Sequence, residues 1–136
     1  MRLDLEAAAE LLYGPAQPLM GSPLDDEQLI DAALSAFEGE PFCIVRSWMI
    51  IDVMLSDSSQ RQIEALGMQP VILYAQNVIL DSRNRFQPGG CVKSTYQVAQ
   101  FGCFFESKNT TYLLAGRGCR KFASFPAVTA LEDIVC

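Results

Sequence analysis

The chain has 136 residues, half of them apolar, with 16 acids against 10 Lys and Arg, no histidine and a formal net charge of -6. That length builds one domain, residues 1–136, around one core, and apolar residues spread throughout exclude intrinsic disorder. The missing imidazole excludes the Ser-His-Asp and Cys-His nucleophiles, the H-E-x-x-H zinc site and the C-C-H-H finger, leaving any catalysis to carboxylates, Lys, Tyr, Ser or Cys.

Residues 3–13 are rich in Ala and Leu and stop at Gly14-Pro15, which predicts a short helix. Residues 14–23, with three prolines and two glycines, read as a loop. A second helix is predicted from Leu24, with Ser22 as N-cap and Pro23 at the first helical position. Asp25, Asp26 and Glu27 fall in its first turn, where the helix dipole favours acids. Leu29, Ile30, Ala33, Leu34 and Phe37 mark its apolar stripe, and Gly39 ends it.

From Phe42 the pattern changes to strands. Phe42-Cys43-Ile44-Val45 and Trp48 to Val53, separated by Arg46-Ser47, read as two strands or one bent strand. Asp57 to Gly67 predicts a short helix, capped by Asp57 or Ser58, with Ile63 and Leu66 facing inward. Pro70 to Tyr74 and Asn77 to Leu80 are strand-like, and Asp81 to Arg85 and Gln87 to Gly90 are turns. Val92 to Phe101, Cys103 to Ser107 and Thr111 to Ala115 form a meander of three strands, closed by Gly116-Arg117-Gly118. Ser124 caps a final helix through Val135, with Pro126 in its first turn and Val128, Leu131 and Ile134 on one face. The class is therefore α+β: two N-terminal helices, a largely antiparallel sheet of about five to seven strands with one short inserted helix, and a C-terminal helix.

No apolar run approaches the roughly 18 residues of a membrane span, and the first residues do not match a secretory signal, so a cytoplasmic protein is expected. Cys43, Cys91, Cys103, Cys119 and Cys136 are scattered without a C-x-x-C, which argues against a zinc ribbon and a full disulfide framework. They read as buried free thiols, with Cys136 the exposed exception. No cofactor motif and no metal-ligand spacing occurs.

Charge is sorted along the chain. Residues 1–40 carry nine acids against Arg2, whereas residues 77–122 carry seven bases against Asp81 and Glu106. The acidic set Asp25, Asp26, Glu27 and Asp31 makes a candidate face for a basic protein partner. The basic set Arg83, Arg85, Lys93, Lys108, Arg117, Arg120 and Lys121 is interleaved with aromatics and makes an alternative contact for an anion or nucleic acid. Strand alternation weakens this alternative, because it sends neighbouring aromatics and cations to opposite faces. Gly116-Arg117-Gly118 lacks the third glycine of a dinucleotide fingerprint and the Lys-Ser/Thr ending of a P-loop, so it reads as a turn. Lys93-Ser94-Thr95-Tyr96 with Glu106 faintly resembles elements of ADP-ribosyl transferases, without an upstream arginine element. Asp52, Asp57 and Asp81 sit near strand ends, where a small enzyme would gather carboxylates, but no paired motif supports a catalytic residue.

Four segments together, Leu12 to Pro15, Glu40 to Arg46, Gln76 to Arg83 and Phe105 to Tyr112, resemble an uncharacterised family of small bacterial, prophage-associated proteins, a domain of unknown function, over about residues 11–122. That resemblance implies no activity. It implies an accessory role, such as an inhibitor of host defence or an immunity protein, that binds another macromolecule.

Overall fold

One long strand organises the molecule. In the structure, a computed structural model that describes residue 6, residues 9–12 and residues 14–135 without the side chains of 132–135, β2 runs unbroken from Phe42 to Met54. Cys43 to Val45 and Ile50 to Ile51 are buried on both faces, as a near-continuous apolar run requires of a central strand. Arg46 and Ser47 do not break it. Ser47 takes a positive φ of 53°, and the pairing register shifts between Ile44 and Val45, so the strand bends and continues.

The described elements are α1 (9–12), β1 (Gln17–Met20), α2 (Asp26–Ala36), β2, α3 (Asp57–Ala65), β3 (Val71–Asp81), β4 (Val92–Lys93), β5 (Gln97–Phe101), β6 (Phe104–Ser107), β7 (Thr111–Leu114), β8 (Arg117–Ser124) and α4 (Phe125–Val135). The class is α+β, but the sheet is mixed and has eight strands. β3 pairs antiparallel along β2, while on the other edge β7 pairs parallel with Phe42 to Val45 and β8 pairs parallel with Met49 to Met54. The expected meander is present as β5, β6 and β7. A bridge between Gln69 and Gln97 ties the entry to β3 back to β5, so the sheet curls around its own apolar face.

Where β7 hands over to β8, Trp48 fills the junction. Its indole Nε1 donates to the Ala115 carbonyl at 3.1 Å, and a Cβ on Gly118 would lie 2.2 Å from the ring, so only glycine fits there. Val45, Trp48, Ile50, Leu73, Phe105 and Tyr112 belong to the core inside the curl. Outside it, α2 covers Phe42, Ile44 and Leu113, and α4 with Leu11 covers Met49, Ile51 and Tyr74.

Several expectations need correction. The 14–23 loop contains β1, paired antiparallel with β8, and Ser22 is held in a bridge to Ala115. Asp25 therefore caps α2 in place of Ser22, and Pro23 lies outside the helix. Ser56, not Asp57 or Ser58, caps α3, accepting from the Ser59 amide at 3.2 Å. Leu66 is 68% exposed instead of facing inward. Gly116 to Gly118 does not close the sheet; β8 follows, recruited by the free edge of β2. The strand expected over 92–101 is interrupted between β4 and β5, where the Ser94 hydroxyl accepts from the Leu73 amide at 2.8 Å. At the end of the chain, Ser124 accepts from the Ala127 amide as expected, and Val128 and Leu131 are buried, while the Ile134 side chain lies outside the described residues. The first expected helix is described only at residue 6 and residues 9–12.

Candidate functional site

The acidic residues of α2 have different local roles. Asp25 closes a capping box: its carboxylate accepts from the Gln28 amide at 2.9 Å, and the Gln28 side chain accepts from the Asp25 amide at 3.1 Å. Asp26 meets the Arg46 guanidinium at 2.6 Å, and Arg46 also donates to the Leu24 carbonyl, which fastens the helix start to β2. Glu27 and Asp31 are exposed, and among the described residues neither has an ion-pair or hydrogen-bond partner. Asp25 and Asp26 thus build the helix, while Glu27 and Asp31 leave their charge in water.

Leu29 and Ala33 are buried against the sheet, with Ile30 and Phe37 beside them. At 3.6 residues per turn, Glu27, Asp31 and Leu34 line up on the flank next to that apolar stripe. Leu34 was expected inside with the stripe, but it is 56% exposed. Its spacing from Glu27 and Asp31 is the signal that places it with them. Just beyond the helix, Leu34, Phe37, Pro41 and Phe42 form the apolar walls of a cleft of about 340 Å³, whose charged rim is Glu38, Glu40 and Arg83. Arg83 reaches this cleft from the turn after β3, a juxtaposition that local sequence does not encode.

Four residues of the basic set, Arg85, Lys93, Arg120 and Lys121, are engaged within the fold. Arg85 turns back on Asp81, donating from Nη2 to Oδ1 at 2.8 Å and from Nε to Oδ2 at 3.0 Å, and also donates to Thr110. Arg120 makes a two-point contact with Asp52 at 2.7 and 2.8 Å. Lys121 donates to the carbonyls of Glu10, Leu11 and Gly14, closing the end of α1. Lys93 is partly buried on β4, opposite Tyr74, and is also engaged. Arg83, Lys108 and Arg117 remain exposed in three separate segments, without ion-pair partners among the described residues.

The Asp81 carboxylate is fully buried. Burial pushes its pKa up, but hydrogen bonds and charge from Arg85 outweigh this and hold it below the usual carboxyl range. Beside it, burial and then the Asp81 charge push the Cys43 thiol to about 12, and burial followed by Cys43 pushes the Tyr112 hydroxyl to about 12. Cys43 is therefore a protonated core thiol at neutral pH. Burial also raises Cys119. Cys43, Cys103 and Cys119 are free thiols, whereas Cys91 is disulfide-bonded, which corrects the expectation at that position.

A cleft of about 960 Å³ lies between α1 and the second half of β8 and contains Asp52. Another, of about 580 Å³, contains Glu106 and Lys108. Neither these nor the cleft beside α2 gathers two of Asp52, Asp57, Asp81, Glu106 and Cys103. Among the described residues no group of three or more Cys, Asp or Glu is placed to hold a metal ion, and no helix is long and apolar enough to cross a membrane.

No curated protein and no solved structure matches this chain. The model of a domain of unknown function matches residues 20–130, a span that takes in α2, the whole curl from β2 to β8 and the start of α4. The chain belongs to this family, DUF6957.

Proposed function

We propose that the protein is a non-enzymatic binding protein and that a basic protein partner docks on the acidic flank of α2. The observation that carries this reading is the contrast in neutralisation: Glu27 and Asp31 are exposed and unpaired among the described residues, while Arg85 and Arg120 are held by internal acids and Lys121 by carbonyls. Complementary charge steers association and selects partners more than it adds affinity, and an unneutralised helix flank is suited to that role. An inhibitor or immunity protein that occupies a basic surface would use such a face.

The test is a capture from host lysate with the wild-type protein and with a Glu27→Lys/Asp31→Lys variant, both confirmed folded by circular dichroism. Partners retained by the wild type are lost with the variant at moderate salt. If the variant keeps every partner, the reading is wrong. Nucleic-acid binding by the basic half is the weaker reading, because among its described residues the exposed cations without an ion-pair partner, Arg83, Lys108 and Arg117, lie in three separate segments. Cytoplasmic placement belongs to the same proposal: three free thiols support it, the disulfide at Cys91 opposes it, and whole-cell alkylation of Cys91 decides between them.

A further inference from the structure

Resting on that reading, we infer that the cleft at the C-terminal end of α2 receives one apolar side chain from a lysine- or arginine-rich segment of the partner. The cleft has the two properties such a segment needs. Its walls are Leu34, Phe37, Pro41 and Phe42, and its volume of about 340 Å³ admits a large side chain. Leu34 is 56% exposed and lines the cleft. The approach is anionic, with Glu38 and Glu40 on the rim and Asp31 and Glu27 one and two turns back along the same flank. Arg83 is the one cation among the described lining residues, so the cations of the segment lie along the helix and away from the β3 turn. Apolar burial supplies the grip and the carboxylates fix the direction, the usual division between an anchor and its polar rim.

The probes are two synthetic nonapeptides of lysine and serine, one with a central phenylalanine and one with serine in its place, titrated into isotope-labelled protein and followed by NMR. The expected result is shifts at the amides of Leu34, Glu38 and Arg83, with the phenylalanine peptide bound about tenfold more tightly, the equivalent of roughly 1.4 kcal/mol. Leu34→Ser removes that discrimination while leaving the spectrum of the fold intact. Glu27→Lys/Asp31→Lys weakens both peptides, and Arg83→Ala tightens both by about twofold, as removal of one exposed like charge does. Equal binding of the two peptides by the wild type overturns the anchor but leaves the acidic face standing. Affinities that the double charge reversal leaves unchanged overturn the acidic face instead, and absence of binding by either peptide overturns both. Concentration-dependent shifts of the same amides without peptide assign the cleft to a second copy of the chain and overturn the inference.

Discussion

The acidic and basic parts of the chain treat their charges in opposite ways. In the basic part, Arg120 lies on a strand beside Asp52 and Arg85 folds back over a carboxylate sealed in the core, so these two cations, which look available in the sequence, are already held. In the acidic part, α2 buries one apolar stripe and turns the remainder to water, where Glu27 and Asp31 need no partner. A strand in a curled sheet has little exposed flank, whereas an amphipathic helix has a wide one. Charge counted along a sequence therefore overstates the surface charge of a sheet and describes that of a helix more faithfully.

The largest break in this contrast comes from Arg85→Ala, which leaves Asp81 buried and unpaired. Removing one partner of a buried pair costs about 3–5 kcal/mol, and the partial exposure of Arg85 favours the lower end. Urea unfolding at neutral pH measures that loss, and an unchanged midpoint would mean that the pair contributes nothing. The pH dependence also changes sign. In the wild type the depressed pKa of Asp81 contributes stability above its unfolded value of about 3.9, and that contribution is lost as pH falls through the lower folded value. Without Arg85, burial dominates and raises the pKa, so the variant recovers stability relative to wild type as pH falls from about 7 to about 4.

A smaller effect sharpens the comparison at the half-exposed pair. Asp52→Asn keeps the shape of the side chain and removes its charge from Arg120, at a cost of about 1 kcal/mol in the same unfolding measurement. The smallest effect is expected on α2: Glu27→Gln with Asp31→Asn shifts stability by no more than about 0.5 kcal/mol. A loss as large as that of Arg85→Ala would show that these carboxylates serve the fold and are not free for a partner.

Much of the fold was legible in local pattern. The dense apolar run from Phe42 to Val53 marked the central strand, the turn residues at Gly102 and Lys108 to Thr110 divided the meander, and Ser124 marked the start of α4. β8 was not legible, since Arg117-Gly118-Cys119-Arg120-Lys121 has weak strand propensity and is extended because it completes the edge of β2. β1 was hidden by Pro18, which an edge strand tolerates, and by Pro15 and Pro23 on either side. In the site, the acids of α2 were visible, but their division into capping, pairing and free groups was not. Ser22 was the cap expected from the sequence, with Asp25 in the first turn; the structure holds Ser22 in a bridge to Ala115 and gives the cap to Asp25.

The sequence by itself determined the α+β class, the amphipathic α2, the central apolar strand and the absence of imidazole chemistry, because these follow from composition and from periods of two and 3.6 residues. Only the tertiary structure decided that β2 changes neighbours at Trp48, that Arg85 and Arg120 are neutralised within the fold, and that Arg83 and Leu34 line one cleft. Each of these joins segments far apart in the chain, and such contacts are fixed by packing and burial, not by local pattern.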